Sequence, residues 1–251
     1  MEVHAHTHTA RSKWTHYLWE FLMLFLAVFC GFLAENQREH FVEHQREKKF
    51  MASLLEDLVN DTTDLSRDIR RWERMVRKAD TLRDQIMNPL STKDSRLFYR
   101  LAAELNDYNN TFLYHDRTIG QLKNAGNFRL IRKKAIADTL VQYDAWIITT
   151  LKIIEDGYSN VVAPEIRQLQ DQLLNSKFYE FIINPVRLDS AMQKDPEIIE
   201  IKKGKEEILF RYYNSLYTYK TSVGARVYFM NTSIRRATNL IHMIKKEYHL
   251  E

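Results

Sequence analysis

The chain has 251 residues, with 37 basic and 33 acidic side chains and a formal charge of only +4 at pH 7. This mixed charge excludes the concentrated positive field typical of a nucleic-acid-binding protein. The low content of 6 glycines and 4 prolines favours long helices over sheets and linkers. A single cysteine excludes a disulfide framework within the chain.

Residues 17–34, YLWEFLMLFLAVFCGFLA, predict a transmembrane helix. From Phe21 to Ala34 no side chain carries a charge or an amide, and the run reaches about the lower length limit for crossing ~30 Å of hydrocarbon. Its Leu, Val and Phe residues each contribute about −0.3 to −0.6 kcal/mol to insertion, which outweighs a penalty of about 3 kcal/mol for Glu20. Aromatic rings typical of the headgroup layer flank its N-terminal edge: Trp14, Tyr17 and Trp19.

Two other interpretations of this run remain open, namely a cleaved signal peptide and a buried helix of a soluble protein. A cleavage site needs small residues one and three positions before the cut, whereas Phe32 precedes Ala34 at that spacing. We therefore favour a retained signal anchor, which divides the chain into a polar tail (1–16), a transmembrane helix (17–34) and a helical bundle domain (35–251). The short tail carries Arg11 and Lys13. Although Lys and Arg counts slightly favour the opposite orientation, we expect the tail inside and the body outside.

The rest of the chain predicts an all-α fold. Because neither Pro nor Gly occurs between Ala34 and Pro89, the transmembrane helix is expected to continue as one rod of up to about 70 residues, ending at Asn88-Pro89. From Met51 onwards, apolar positions alternate steps of four and three, which predicts packing in a left-handed bundle or coiled coil. These seam positions are Met51, Leu55, Leu58, Thr62, Leu65, Ile69, Trp72, Val76, Ala79, Leu82 and Ile86.

Four further helical segments are predicted. The first is a short helix at 92–105, and the second is a helical turn that a capping box of Thr118 and Gln121 opens and Gly126 closes. The third is a long stretch that begins near Asn127, and the fourth is a helix at 206–248. The second long helical stretch, which begins near Asn127, is expected to kink or split at Pro164. Its seam is Ile136, Leu140, Tyr143, Ile147, Leu151, Ile154, Tyr158 and Val161, resuming at Ile166, Leu169 and Leu173. The seam of the last helix is Leu209, Tyr212, Leu216, Tyr219, Val223, Val227, Met230, Ile234, Ala237, Ile241 and Ile244.

Three long helices with one seam each predict an antiparallel bundle of three helices, or of four if residues 92–105 are a full member. In the three-helix arrangement the second long helix returns toward the membrane and places the aromatic cluster 178–183 near the bilayer. Lys202-Lys203-Gly204 is expected to be a loop. The aromatic residues Tyr212, Tyr213, Tyr217 and Tyr219 are interpreted as bundle core.

Two segments resemble a family of single-span bacterial envelope proteins. One is TFLYHDRTIGQLKNAGNFRLIRKKAIADTLVQYD, residues 111–144, whose most specific part is QLKNAGNFRLI, from Gln121 to Ile131; the other is ENQREHFVEHQREKKFMASLLEDLVNDT, residues 35–62. The resemblance implies an all-helical, membrane-anchored domain of a bacterial envelope protein. Together with the expected orientation, this predicts the inner membrane of a Gram-negative bacterium, with most of the chain in the periplasm. It carries over no activity and no catalytic residue.

Four sets of residues are candidates for chemistry. His40, Glu43 and His44 match the H-x-x-E-H zinc-peptidase motif, and His4, His6 and His8 alternate in the tail as a second candidate metal set. Glu20 is a candidate for proton coupling, because ionisable residues in spans are often functional. A basic group near the Asn127 helix start is a candidate anion site: Lys123, Asn127, Arg129, Arg132, Lys133 and Lys134.

The plain interpretation of each set is structural: a solvated charged stripe, a polar tail, an interfacial carboxylate and surface ion pairs. Our first hypothesis is therefore a non-enzymatic, membrane-anchored scaffold or sensory subunit, without a cofactor, that binds the bilayer and either itself or other envelope proteins. The alternatives are an accessory subunit of an ion-driven motor or transporter that uses Glu20, and a metal-dependent hydrolase at His40, Glu43 and His44.

Overall fold

The structure is a computed structural model that describes residues 14–88, 95–106, 112–124, 126–174, 190, 193–194 and 204–250. Its contacts divide the chain into two compact units, Met1–Phe50 and Met51–Glu251. Throughout the described residues the regular structure is helical, as the sequence predicts. The compact bundle thus begins at Met51, while residues 35–50, which the sequence assigns to the bundle domain, belong to the N-terminal unit.

The helices are named here in chain order. They are α1 (Trp14–Met87), α2 (Ser95–Glu104), α3 (Arg117–Asn124), α4 (Lys134–Trp146), α5 (Lys152–Gly157), α6 (Ala163–Leu173) and α7 (Glu206–Tyr248). A 3-10 turn at Asn127–Leu130 precedes α4, and single π-helical segments at Ile147–Leu151 and Tyr158–Val162 flank α5.

The structure confirms the predicted lengths and ends of the two longest helices. Helix α1 has 74 residues and ends at Met87, directly before the predicted stop at Asn88-Pro89. Helix α7 covers the predicted 206–248 and ends where His249 adopts a left-handed conformation at φ 51°. The amide of Leu250 then donates to the Lys245 carbonyl at 3.2 Å, which satisfies one of the carbonyls that a helix end leaves open.

Within the C-terminal unit, the chain makes four passes along the bundle. The first pass is α1 from Met51 onwards. The second runs back along it through α2 and α3, since Glu104 pairs with Lys78 at 2.7 Å and the amide of Thr118 donates to Asp57 at 2.9 Å. This is the four-member arrangement that the sequence left open, with α3 extending the pass that the predicted short helix at 92–105 begins.

The third pass, α4 to α6, runs parallel to α1. Tyr143 reaches Asp61 with a 2.7 Å hydrogen bond, and the rings of Tyr158 and Trp72 lie 5.7 Å apart, so residue numbers rise together on both helices. The direct return predicted for this helix in the three-helix arrangement is therefore wrong. The aromatic cluster 178–183 lies outside the described residues.

The fourth pass, α7, is antiparallel to α1. Lys220 pairs with Asp80, while the guanidinium of Arg226 lies 4.4 Å from the Trp72 ring centroid. Apolar and aromatic side chains from all four passes fill the space between them, and the largest fully buried ones are Tyr99, Tyr143, Tyr212, Tyr219, Phe98, Met51, Leu58, Leu65, Leu82, Leu105 and Ile119.

The predicted seams face the core of the bundle, with local exceptions that have physical causes. Val161, predicted to face the core, is 63% exposed, and Val162 is buried instead. The π segment Tyr158–Val162 adds residues per turn, so it moves the buried face by one position. Tyr217 was assigned to the core but is 57% exposed, with Arg83 lying 5.5 Å from its ring centroid.

The N-terminal unit consists, in its described part, of α1 residues 14–50. One helix among the described residues is long and apolar enough to cross a membrane, and it is α1: an 18-residue window near its N-terminus has a mean hydropathy of 2.0 and no buried residue. The predicted apolar helix is thus present, and its side chains have no covering partner in the described chain.

Candidate functional site

Four aspartates form a row on α1 next to its apolar seam. Asp57, Asp61, Asp64 and Asp68 follow one another at steps of four, three and four, so they share one face of the helix. Three of them are buried: Asp57, Asp61 and Asp68. Buried carboxylates are stable only when hydrogen-bond donors replace water. We call this set the aspartate row, and most of its donors come from residues 114–118, YHDRT.

Asp57 caps α3 from a different helix. Its Oδ2 accepts the backbone N–H of Thr118 at 2.9 Å, and its Oδ1 accepts the Arg117 Nη2–H at 3.0 Å. The first N–H groups of a helix have no partner within it, and a carboxylate there is also favoured by the helix dipole. The predicted capping box is wrong, because Thr118 is buried inside α3, and the Gly120 N–H donates to the Asp116 carbonyl in the first turn of this helix.

Asp61 is the most deeply buried member of the row. Its two oxygens accept the His115 backbone N–H at 2.9 Å and the Tyr143 hydroxyl at 2.7 Å. Burial raises the pKa of Asp61 to about 6, although both hydrogen bonds oppose the rise. Burial and the nearby Asp61 charge likewise raise the pKa of the Tyr143 phenol. Asp61 therefore changes charge in a pH range where an exposed aspartate stays ionised.

The network continues on both sides of Asp61. Asp64 lies 3.0 Å from His115 Nε2, and across the site the Tyr114 hydroxyl donates to Asp144 at 3.2 Å. Lys123 forms an ion pair with the other Asp144 oxygen. One short segment thus supplies two backbone N–H groups, an imidazole, a guanidinium and a phenol to carboxylates of α1 and α4.

A surface pocket of about 260 Å³ borders the row, lined by Glu56, Asp57, Asn60, Leu113, Tyr114, His115, Asp116 and Arg117. Arg117 donates to Glu56 at 3.2 Å and to Asp57 at 3.0 Å, and the His115 backbone N–H donates to Asp61 at 2.9 Å, so these contacts position the segment 115–117 against α1. Across the described ranges, no group of three or more His, Cys, Asp or Glu residues is arranged to hold a metal ion.

The predicted metal-binding and proton-coupling residues of α1 make only short-range contacts along the helix. His40, Glu43 and His44 do not form a metal-binding group, and His44 Nδ1 lies 3.4 Å from Glu47. Glu20 is 64% exposed and lies 3.5 Å from His16, one helical turn earlier. The tail histidines His4, His6 and His8 lie outside the described residues.

The predicted anion-binding residues lie in three separate places. Lys123 belongs to the Asp144 contact described above. Asn127 starts the 3-10 turn, and Arg129 is exposed within it. The others lie where α4 begins beside the end of α7, on a surface pocket of about 390 Å³ lined by Arg132, Lys133, Lys134, Ala135, Ile136, His242, Met243, Lys246 and Glu247. We call this second cavity the basic pocket.

Sequence reasoning missed the aspartate row and one other polar cluster. The sequence signal for the row is the heptad-like spacing of its four aspartates. A second signal is Tyr143 in the predicted seam, because the hydroxyl of a buried tyrosine needs a hydrogen-bond partner. The other cluster is built on Gln170, which is fully buried. Its amide donates to the Ala102 carbonyl at 3.1 Å and to the Tyr212 hydroxyl at 2.8 Å, and it accepts from Asn106 at 2.5 Å.

Comparison with known proteins gives no match. No protein-family model, no curated protein and no solved structure matches this chain at a significant level. The resemblance to envelope proteins therefore stays a prediction.

Proposed function

We propose that the protein is a membrane-anchored helical bundle that serves as a scaffold, or as a sensory or interaction subunit, in a bacterial envelope complex, without catalysing a reaction itself. The observation that carries this proposal is the apolar window of α1, in which no residue is buried. A soluble protein rarely leaves so large an apolar surface in water.

The exposed side chains of this window favour lipid as the covering partner. Phe21, Leu24, Val28 and Phe32 are each between 65% and 69% exposed. The nine Leu, Val and Phe residues from Phe21 to Leu33 sum to about −3 to −5 kcal/mol for insertion. This is sufficient for a single anchor even with Glu20 near its start.

The bundle supports the scaffold part of the proposal. The strongest polar clusters in its described part, the aspartate row and the Gln170 cluster, connect separate passes of the same chain. Such contacts fix the geometry of the bundle. Self-association, or binding to another envelope protein, would then use the outer faces, where Phe210, Tyr217 and Tyr228 are exposed.

Charge substitutions in the apolar window test the membrane anchor. Leu24→Arg combined with Val28→Arg adds about 5 to 7 kcal/mol to the insertion free energy, so the full-length protein should move from the carbonate-washed membrane pellet to the soluble or aggregated fraction. The matched control is Val141→Arg with Ile148→Arg, two half-exposed apolar residues of the bundle. Loss of the wild-type protein into the carbonate supernatant would refute the anchor.

Orientation and partners need separate measurements. In a Cys30→Ser background, Met87→Cys places one thiol at an exposed position at the end of α1. An impermeant maleimide should label it in cells with a permeabilised outer membrane if the body is periplasmic. Crosslinking before mild detergent extraction should then retain a second copy or an envelope protein; a monomer alone would contradict the scaffold proposal.

A further inference from the structure

The basic pocket combines a cavity with a concentration of cations from two helices. Arg132 and Lys133 directly precede α4, Lys134 begins it, and His242 and Lys246 come from the last turns of α7. Glu247, the acidic side chain among the lining residues, is paired with Lys133 at 2.7 Å, and this pairing lowers the Glu247 pKa. Three formal positive charges therefore remain around a cavity of about 390 Å³, with His242 neutral.

The lining also has an apolar part, formed by Ala135, Ile136 and Met243. The backbone adds donors: the N-cap residue of α4, Lys133, makes no side-chain cap hydrogen bond, and the first N–H groups of a helix lack helical acceptors. Cations, backbone donors and an apolar wall around one cavity suit an anionic group attached to a small apolar moiety.

The pocket lies at the end of the bundle where α1 enters it. Arg226 of α7 contacts Trp72 of α1, and the two helices are antiparallel. Lys246 lies about 30 Å further along α7, while Met51 lies about 32 Å back along α1, at 1.5 Å per residue. These positions are therefore level.

We propose that the basic pocket binds a phosphate group, presented either by a small phosphorylated molecule or by the headgroup of an anionic lipid. Lys134 and Lys246 supply charge-assisted hydrogen bonds from opposite helices, and Ile136 and Met243 contact the apolar part of the ligand. This site goes beyond the scaffold role, and it depends on the geometry of α4 and α7 alone.

The test uses full-length protein and two probes. The first probe is pyrophosphate, titrated by calorimetry onto protein in phosphatidylcholine nanodiscs. The second is phosphatidylglycerol in mixed micelles with phosphatidylcholine, counted by mass spectrometry as lipid retained per protein after purification. The pocket variant is Lys134→Gln with Lys246→Gln. The control is Arg129→Gln with Lys245→Gln, which removes the same charge from exposed neighbours outside the pocket lining.

Each lost cation should weaken binding roughly tenfold. Pyrophosphate binding that is lost in the pocket variant but kept in the control identifies a soluble phosphorylated ligand. Preferential retention of phosphatidylglycerol with the same variant pattern identifies a lipid headgroup. The proposal is overturned if neither probe binds, or if both variants lose binding equally, since that would reflect the general surface charge. Circular dichroism of all variants separates either result from misfolding.

Discussion

Replacing Asp61 with Asn should remove a pH dependence from the stability of the bundle. Asp61 is fully buried and accepts hydrogen bonds from the His115 backbone N–H and the Tyr143 hydroxyl. An Asn side chain of the same shape keeps both bonds, because its oxygen accepts from the backbone and its amide donates to the phenol oxygen. The substitution therefore removes a titrating charge with little change in packing.

The magnitude follows from the pKa of Asp61, which burial raises from 3.8 to about 6. Between these values the folded chain binds a proton that the unfolded chain has released, so the free energy of unfolding falls as pH rises from about 4 to about 6. The total loss for the wild type is about 3 kcal/mol. Asp61→Asn lacks this loss, so its stability relative to the wild type should increase by that amount across the same range.

The measurement is urea unfolding of the full-length protein in a neutral detergent between pH 4 and pH 8, followed by helical circular dichroism. Subtracting the wild-type profile from the Asp61→Asn profile cancels the contributions of other titrating groups. Asp138→Asn, at an exposed position of α4, is the control and should give a flat difference. A flat difference for Asp61→Asn as well would refute the claim that burial makes this carboxylate titrate near pH 6.

Three further pairs of substitutions test individual local features, the first two pairs by urea unfolding at pH 7 and the third by hydrogen exchange. Gly126→Ala should destabilise the bundle by about 1 kcal/mol because Gly126 has φ 63°, whereas Gly120→Ala within α3 should stabilise it by up to about 1 kcal/mol; equal effects would exclude backbone strain as the cause. Gln170→Leu, which removes three buried hydrogen bonds, should cost about 2–4 kcal/mol, and Tyr212→Phe, which removes one of them, should cost only about 1 kcal/mol. Asp57→Ala should speed hydrogen exchange at the start of α3, with Asp57→Asn closer to the wild type because it keeps an acceptor; unchanged exchange would argue against the cap.

The long helices could be predicted because their ends carry explicit signals. Proline at position 89 stops α1, and the scarcity of glycine and proline elsewhere allows 74 helical residues. In α7 the seam identifies the core through Tyr212, Tyr219 and Val223, all of which are buried. These are local properties of the chain, and local sequence is sufficient to determine them.

Such patterns do not predict which polar side chains are buried or what they pack against. The α7 seam was assigned to Val227, which is half-buried, while its neighbour Arg226 is 5% exposed. The Arg226 guanidinium lies 4.4 Å from the Trp72 ring centroid and 4.7 Å from that of Tyr158, so aromatic faces replace its water. Whether a long cation meets aromatic rings depends on which helices become neighbours, and that is a property of the whole fold.

The aspartate row explains why the bundle has four passes rather than three. Helices α2 and α3 have only 10 and 8 residues, lengths at which an isolated helix is marginal, so the second pass requires contacts with α1. The aspartate row in turn requires hydrogen-bond donors from the second pass. If a long helix returned directly along α1, it would bury Asp57 and Asp61 without the backbone N–H groups that the segment 112–118 now donates to them. The apolar seams are compatible with three helices or four. The buried carboxylates are compatible only with an arrangement that brings backbone donors to α1, and the second pass supplies them.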